Sequence, residues 1–319
     1  MNAEISSIMS AHLDYEQKTF RNSIYCVGVG VHSGKKATMI FHPAPVDHGI
    51  VFRRTDVVGK DNLIPAKYNY IVDTRLCSCL GNKDGVTVST IEHVMAALNA
   101  YGVSNALIDI DGPEVPIMDG SAADFVFLIE SAGLIPQGVP QKALKIKKEV
   151  SLEQNNIKVS LKPSDEEGLF INFDIDFPSK AIGKEAFSLE MTKENFKEMI
   201  SFARTFGFLK EIEMLRSMGL GRGGSLENAI VVDGDSILNP EGLKAKDEFV
   251  RHKILDAVGD LYQVGLPIIG IFEGHFSGHA HTNQLLRKLF EDETAYEIID
   301  LNEEVAKYAP DFKKVRKSA

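Results

Sequence analysis

The chain has 319 residues and a formal net charge of −10 at pH 7, a length that fits two domains of ordinary size. A hydrophobic fraction of 44% and a charged fraction of 25% are typical of a globular protein with a buried core. An acidic chain lacks the basic field that neutralises phosphates, so the composition argues against a nucleic-acid partner. The longest apolar runs, such as residues 266–272, are too short for a transmembrane segment.

Two further features indicate the compartment. Glu4, Asp14 and Glu16 interrupt the first twenty residues, which therefore do not read as a secretory signal. The chain has three cysteines, an odd number, which fits a reducing environment. We therefore expect a cytoplasmic protein.

The predicted elements mix strands and helices throughout the first part of the chain. Residues 1–18 are predicted as an N-terminal extension, and a first domain is expected over 19–136. Apolar periodicity and turn residues predict strands at 25–32, 37–43, 50–54 and 105–111, a helix beginning near Ser89, and a helix over 122–132. Residues 133–141 contain two prolines and two glycines and are predicted as a linker.

The second domain is expected over residues 137–319 and again mixes both element types. Strands are predicted at 144–152, 157–161, 169–177, 229–233 and 267–272, and helices at 192–203, 209–218, 248–262 and 282–290. Neither half shows a long repeat in which helices alternate with parallel strands.

The predicted helix over 248–262 carries three aligned polar side chains. His252, Asp256 and Asp260 are spaced at i, i+4 and i+8, so they stack along one helix face. A histidine and an aspartate one turn apart suit a divalent metal such as zinc. The alternative is a solvated polar face, which is the commoner meaning of one such pair taken alone.

A second group begins at Glu92 and His93. Ser89 and Glu92 have the spacing of a capping box, which would give Glu92 a purely structural role, but the cap does not explain His93. Together with His252 and Asp256, His93 would complete a set of two imidazoles and one carboxylate, with Glu92 beside it as a base. The two groups lie far apart in the sequence, and their spacing alone does not establish that they meet.

Two other motifs are less informative. Residues 219–224 match the glycine string of dinucleotide-binding proteins, but they follow a predicted helix and precede a predicted strand, so we interpret them as a helix cap and loop. His275, His279 and His281 straddle a junction between a strand and a helix. They are either a metal-ligand set or one functional histidine with two bystanders.

Several motifs in order resemble one enzyme family. They are the segments Gly28–Gly34, Thr87–Leu98, Pro113–Ala122, Ala203–Phe208, Glu248–Leu261 and Ser277–His279. With them the chain resembles the UDP-3-O-acyl-N-acetylglucosamine deacetylases, the zinc amidases of the lipid A pathway, from about residue 19 to residue 290. The resemblance does not extend to the N-terminal extension.

The resemblance implies a fold and a reaction. The implied fold class is α+β, with two similar layered domains that each pack a β-sheet against helices, the active site between them, and an inserted substrate-passage element in the second domain. The implied reaction hydrolyses the 2-acetamido group of a UDP-linked acylated amino sugar and releases acetate. The implied cofactor is Zn²⁺, with Fe²⁺ as an alternative. Apart from the resemblance, we expect a monomer.

The resemblance also implies which residues bind the metal, which one acts as the base and which one stabilises the oxyanion. His93, His252 and Asp256 match the zinc ligands of the family, and Glu92 matches its general base. Thr205 matches the hydroxyl group that helps to hold the oxyanion.

The remaining matches concern the acid and the substrate. His279 matches the histidine that serves as electrostatic stabiliser and general acid, and Asp260 matches the carboxylate that orients it. Lys253 matches a lysine that contacts the nucleotide-sugar part of the substrate. Phe206 and Phe208 match a segment that lines the substrate cleft.

Two alternative functions are compatible with these residues. One is a zinc amidase or esterase that acts on a different acylated sugar. The other is a domain without catalysis, either with a structural zinc or as a nucleotide-sugar binding module. A structural zinc site is closed by a fourth protein ligand, whereas the positions named above leave one site open.

Overall fold

The computed structural model describes residues 15–301, and its first half is built on a five-stranded sheet. The sheet order is β2-β3-β9-β4-β5, formed by β2 (Ile24–Val29), β3 (Lys36–Pro43), β4 (Ile50–Arg54), β5 (Leu63–Pro65) and β9 (Ala106–Ile110). In β3, alternate residues Ala37, Met39 and Phe41 are buried, as expected of a strand with one face on the core. A small sheet contains β6 (Ile71–Asp73), β7 (Cys79–Gly81) and β8 (Thr87–Val88).

Two helices belong to this half, α1 (Glu92–Ala100) and α2 (Ala123–Ala132). All of residues 92–98 in α1 are buried, so this helix has no solvated face along its first two turns. A helix that is buried all round is a core element. The functional candidates Glu92 and His93 therefore lie inside the protein.

The second half contains a seven-stranded sheet. Its strands are β11 (Lys142–Ile146), β12 (Val150–Gln154), β13 (Ile157–Lys162), β14 (Leu169–Asp176), β15 (Lys184–Glu190), β19 (Ile268–His275) and β20 (Tyr296–Asp300). Two helices pack on this sheet, α5 (Glu248–Leu261) and α6 (His279–Glu291). The predicted α+β class with two layered halves is confirmed.

A segment inserted between β15 and α5 carries another three-stranded sheet, β16-β17-β18. It contains α3 (Lys193–Asn195), a π-helix over Phe196–Ile200, β16 (Phe206–Phe208), α4 (Leu209–Ser217), β17 (Ile230–Asp233) and β18 (Ser236–Ile237). The hydroxyl oxygen of Thr192 accepts a hydrogen bond from the Asn195 amide (3.0 Å) and so caps the first turn of α3. The helix predicted over 192–203 is thus present but ends earlier, at residue 200, and changes its hydrogen-bond pattern.

The segments predicted as extension and linker pair with each other. Residues 1–14 lie outside the described part of the chain, whereas β1 (Glu16–Phe20) is antiparallel to β10 (Leu134–Pro140). The predicted boundaries at residues 18/19 and 136/137 both fall within these strands. Proline is tolerated in β10 because a two-stranded ribbon has outer edges at which no ladder donor is needed.

The two halves meet where α1 crosses α5, within one continuous apolar core. Gly259 lies at the crossing, and a Cβ atom there would be 2.0 Å from the backbone oxygen of Glu92. Only glycine permits so close an approach. Across residues 15–301, no helix combines the length and the apolar character that a membrane crossing requires.

We expect the Gly259→Ala variant to be less stable than the parent protein by about 1–3 kcal/mol, because α1 and α5 must separate to admit the methyl group. The direction of the change in unfolding free energy tests the close crossing. Without a steric clash, alanine in a helix interior would stabilise the protein by about 1 kcal/mol relative to glycine. Urea unfolding measures the difference. A variant at least as stable as the parent would show that the crossing is looser than described.

Candidate metal centre

The crossing of α1 and α5 brings three distant side chains together. His93 projects from α1, and His252 and Asp256 project from α5 one turn apart. One nitrogen or oxygen atom from each lies within 4.8 Å of the others, and all three residues are buried. The two imidazole rings are nearly perpendicular, with centroids 5.0 Å apart. The two groups that the sequence left separate therefore form one cluster.

Both imidazoles are neutral, and a hydrogen bond holds the His252 ring in the form that binds metal. His252 Nδ1 donates a hydrogen bond to the Ala203 carbonyl (3.0 Å), which leaves the lone pair on Nε2, and Nε2 lies 3.4 Å from Asp256 Oδ1. His93 Nε2 lies 3.7 Å from the same oxygen. Burial, reinforced by the neighbouring His252, lowers the pKa of His93 to about 3, and burial also lowers the pKa of His252. Both rings are neutral at pH 7.

Asp256 supplies the anionic oxygen of the cluster. Burial alone would raise the pKa of this carboxyl, but His252 and Lys253 lower it below its ordinary value. Lys253 Nζ also donates a hydrogen bond to Asp256 Oδ2 (3.0 Å), the oxygen that does not pair with His93 and His252. Two neutral imidazole nitrogens and one carboxylate oxygen fit zinc or ferrous iron and leave at least one coordination position for another ligand.

Glu92 lies beside the cluster at the start of α1. Its Oε2 atom accepts a hydrogen bond from the Ser78 amide (3.0 Å), and its Oε1 atom lies 3.9 Å from His279 Nε2. The capping-box alternative is wrong, because the Ser89 hydroxyl donates to the Pro113 carbonyl instead. Burial raises the pKa of Glu92 to about 7, despite the opposing effect of His279. This is the range expected of a general base near neutral pH.

His279 is oriented by Asp260. Its Nδ1 atom lies 2.7 Å from Asp260 Oδ2, and its Nε2 atom points into the centre, 4.0 Å from Asp256 Oδ2. Burial opposes the charged imidazolium, but the carboxylates of Asp260, Glu92 and Asp256 outweigh it and raise the pKa of His279 to about 9. His279 is therefore a cation at pH 7.

The other two histidines of the 275–281 segment lie outside the cluster. His275 Nδ1 lies 2.7 Å from Asp174 Oδ2 at the partly exposed end of β19. His281 lies two residues after His279 on the same helix, with its Nδ1 buried and without a hydrogen-bond partner among the described residues. Of the two interpretations, one functional histidine with two bystanders agrees with this arrangement.

A cleft leads from the centre along the inserted segment. It has a volume of about 550 Å³ and is lined by Glu92, His93 and the predicted residues Thr205, Phe206 and Phe208. Its far wall is mostly apolar, formed by Leu209, Ile212, Leu215, Leu226, Val231 and Leu238. Phe206 also packs edge-on against Phe249 and faces the ring of His252.

The glycine string over 219–224 closes one side of the cleft. A Cβ atom at Gly223 would lie 2.2 Å from the Gly30 carbonyl oxygen, and the Gly223 amide donates to the Val31 carbonyl (3.0 Å). The glycines thus allow two loops to pack backbone to backbone. This structural role agrees with the interpretation of the string as a helix cap and loop.

One residue at the centre was not predicted. Ser78 lies between Cys77 and Cys79, is 1% exposed, and contacts both Glu92 and Asp260. A small polar residue between two cysteines carries no motif, so no local pattern marks Ser78 as functional.

Comparison with known proteins identifies the family. The profile of the LpxC family, described as UDP-3-O-acyl N-acetylglycosamine deacetylase, matches residues 17–291. The chain belongs to this family. The match includes both crossing helices and the inserted segment, so it covers every residue of the cluster and of the cleft.

Relatives in the deacetylase family are similar over nearly their full length. The chain is 50% identical over 285 residues to the UDP-3-O-acyl-N-acetylglucosamine deacetylase of Myxococcus xanthus, covering 89% of this chain and 90% of the relative. It is 47% identical over 290 residues to that of Phenylobacterium zucineum, covering 91% and 98%. It is 46% identical over 290 residues to that of Histophilus somni, covering 90% and 94%. The family is metal-dependent and acts on a UDP-sugar, and the donor set fits a metal ion.

Proposed function

We propose that this protein hydrolyses the 2-acetamido group of UDP-3-O-acyl-N-acetylglucosamine in lipid A biosynthesis and releases acetate and UDP-3-O-acyl-glucosamine. The observation that carries the proposal is the buried cluster of His93, His252 and Asp256 with Glu92 and His279 on its border, within a chain of this deacetylase family. The proposed cofactor is zinc, with ferrous iron as the alternative that the same donors accept.

In this proposal His93, His252 and Asp256 would hold the metal, through imidazole nitrogens and a carboxylate oxygen. A zinc ion bound there would supply a Lewis acid that acidifies water and polarises the acetamide carbonyl. The hydrogen bond from His252 Nδ1 to Ala203 fixes one imidazole for this task.

The side chains around the centre have separate roles in proton transfer and in stabilising the oxyanion. The Glu92 carboxylate takes a proton from water as the water oxygen attacks the acetamide carbon. The hydroxyl of Thr205 and the imidazolium of His279 stabilise the oxyanion that forms on the substrate. The carbon–nitrogen bond then breaks, and the amine takes its proton from His279 or from Glu92. Between pH 7 and pH 9 the shifted pKa values keep Glu92 ionised and His279 protonated together.

The cleft supports a division of the substrate into two parts. We assign the apolar wall beside Phe206 and Phe208 to the 3-O-acyl chain, because Leu209, Ile212 and Leu215 would bury its methylene groups. Lys253, on α5 next to His252, is assigned to the UDP-sugar part.

We expect the Lys253→Ala variant to raise KM roughly tenfold, because one charged hydrogen bond to the substrate is lost. Since Lys253 also donates to Asp256, the assay is run at saturating zinc and the bound metal is measured in parallel. The exposed Lys246, just before α5, provides a matched control that should leave KM unchanged. An unaltered kcat/KM for Lys253→Ala would contradict the assignment.

Acetate release from UDP-3-O-acyl-N-acetylglucosamine, with and without a chelator, tests the proposed function. We expect release that stops with the chelator and returns with added zinc. Release only from another acylated sugar would instead establish an amidase or esterase of different specificity. A tightly bound metal with a fourth protein ligand and no release would establish a structural zinc site.

We further propose that the protein acts as a monomer in the cytoplasm. All the residues assigned above come from one chain, so the proposed site needs no partner subunit. Cys26, Cys77 and Cys79 are free thiols, as a reducing compartment would keep them.

A further inference from the structure

Ser78 connects two parts of the proposed machinery that come from different halves of the chain. Its backbone amide donates to Glu92 Oε2 (3.0 Å), and its hydroxyl donates to Asp260 Oδ1 (2.5 Å). Its carbonyl accepts a hydrogen bond from the Ile91 amide at the start of α1 (3.4 Å). All three polar groups of one buried residue are therefore engaged, two of them with carboxylates of the site.

The orientation of the Asp260 carboxylate depends on the hydrogen bonds that it accepts. It is 2% exposed, and its Oδ1 atom accepts from Ser78 Oγ and from Gln263 Nε2 (3.1 Å), while Oδ2 faces His279 Nδ1. A buried carboxylate is strongly destabilised when a donor is lost, so it rotates toward the donors that remain. A rotation of Asp260 would carry His279 with it, because the 2.7 Å contact links the two side chains.

We infer that Ser78 is a positioning residue for the proposed hydrolysis: its hydroxyl fixes Asp260, and through Asp260 it sets the direction of His279, while its amide holds Glu92. The inference rests on the proposed deacetylase function. Loss of a group that orients a catalytic or metal-binding side chain typically costs 10–100-fold in activity. Because the backbone amide remains in every substitution except proline, the hydroxyl can be tested apart from the contact to Glu92.

We expect Ser78→Ala to lower kcat roughly 10–100-fold with KM and bound zinc unchanged. Ser78→Thr keeps the hydroxyl and should restore most of the rate. Ser78→Cys, which keeps the side-chain shape with a slightly larger atom but donates weakly, should behave like alanine. Cys79→Ser, in the adjacent position and without a contact to either carboxylate, is the matched control and should match the parent.

A double-mutant cycle with Asp260→Ala distinguishes positioning from a general structural role. If Ser78 acts through Asp260, Ser78→Ala should cause no further loss of kcat in the Asp260→Ala background. Equal losses in both backgrounds, or a fully active Ser78→Ala protein, would overturn the inference.

A spectroscopic readout separates this inference from the proposed function. In the zinc-loaded protein, the proton on His279 Nδ1 should give a low-field NMR resonance, because it lies in a short contact with Asp260. We expect Ser78→Ala to shift or broaden this resonance and Cys79→Ser to leave it in place. An inactive parent protein would overturn the deacetylase proposal, whereas a resonance unmoved by Ser78→Ala would overturn the role of Ser78.

Discussion

The Glu92→Gln variant should keep its metal and lose roughly a hundredfold to ten-thousandfold in kcat, the range typical of a lost general base. The amide is nearly isosteric with the carboxylate and can still accept the hydrogen bond from Ser78, so the fold of the site should persist. It cannot take a proton from water at neutral pH. Acetate release and bound zinc, measured on the same preparation, give the result.

Two outcomes would contradict this assignment. Loss of the metal along with the activity would make Glu92 a ligand or a structural residue instead of a base. Activity close to that of the parent protein would remove it from the proton transfer. Glu114 is a second glutamate that is 3% exposed, and its carboxylate accepts hydrogen bonds from the His32 and Ser33 amides. Glu114→Gln therefore shows how replacing a buried carboxylate by an amide affects stability.

The Asp256→Ala variant should lose the metal itself. It removes the anionic ligand of the cluster and leaves Lys253 Nζ without its acceptor, so a positive charge would remain beside two imidazoles. We expect zinc affinity to fall by more than the roughly 10–100-fold that loss of an outer hydrogen-bond partner costs. Activity should fall to background at limiting zinc.

The matched control for Asp256→Ala is Asp174→Ala. Asp174 also pairs with a histidine, His275, but the pair lies partly exposed at the end of β19, outside the cluster. Zinc content and acetate release should both remain at the parent level in this control. Retention of one zinc per chain by Asp256→Ala would contradict the proposed ligand set.

The helix that carries the cluster was predictable from its spacing. His252, Asp256 and Asp260 do share one face of α5, as the intervals of four residues require. That spacing did not predict their separate roles. His252 and Asp256 join His93, whereas Asp260 pairs with His279. This division depends on the approach of α1, which Gly259 permits and no local pattern encodes.

The predicted linker and the end of the predicted N-terminal extension both form strands, and the two have a common cause. Residues 133–141 look like a linker because of their prolines and glycines, and the segment before residue 19 has no periodicity. Each becomes a strand only because the other lies beside it, with Phe20 opposite Leu134. Pairing between distant segments is decided by tertiary structure, which local propensity does not report.

The same limitation explains Glu92 and Ser78. The spacing of Ser89 and Glu92 predicts a cap, but a tertiary donor, the Ser78 amide, binds the carboxylate instead. The motifs shared with the deacetylase family draw attention to Glu92 for another reason, because they encode a whole site and not one helix end. Ser78 lies outside those motifs and became visible only through its distances to two carboxylates.

Zinc titration of the metal-free protein, followed by acetate release from UDP-3-O-acyl-N-acetylglucosamine, tests the central claim most directly. With one centre formed by His93, His252 and Asp256, activity should rise in proportion to zinc up to one equivalent per chain and then level off. Acetate release by the metal-free protein, or no release at any zinc concentration, would contradict the claim.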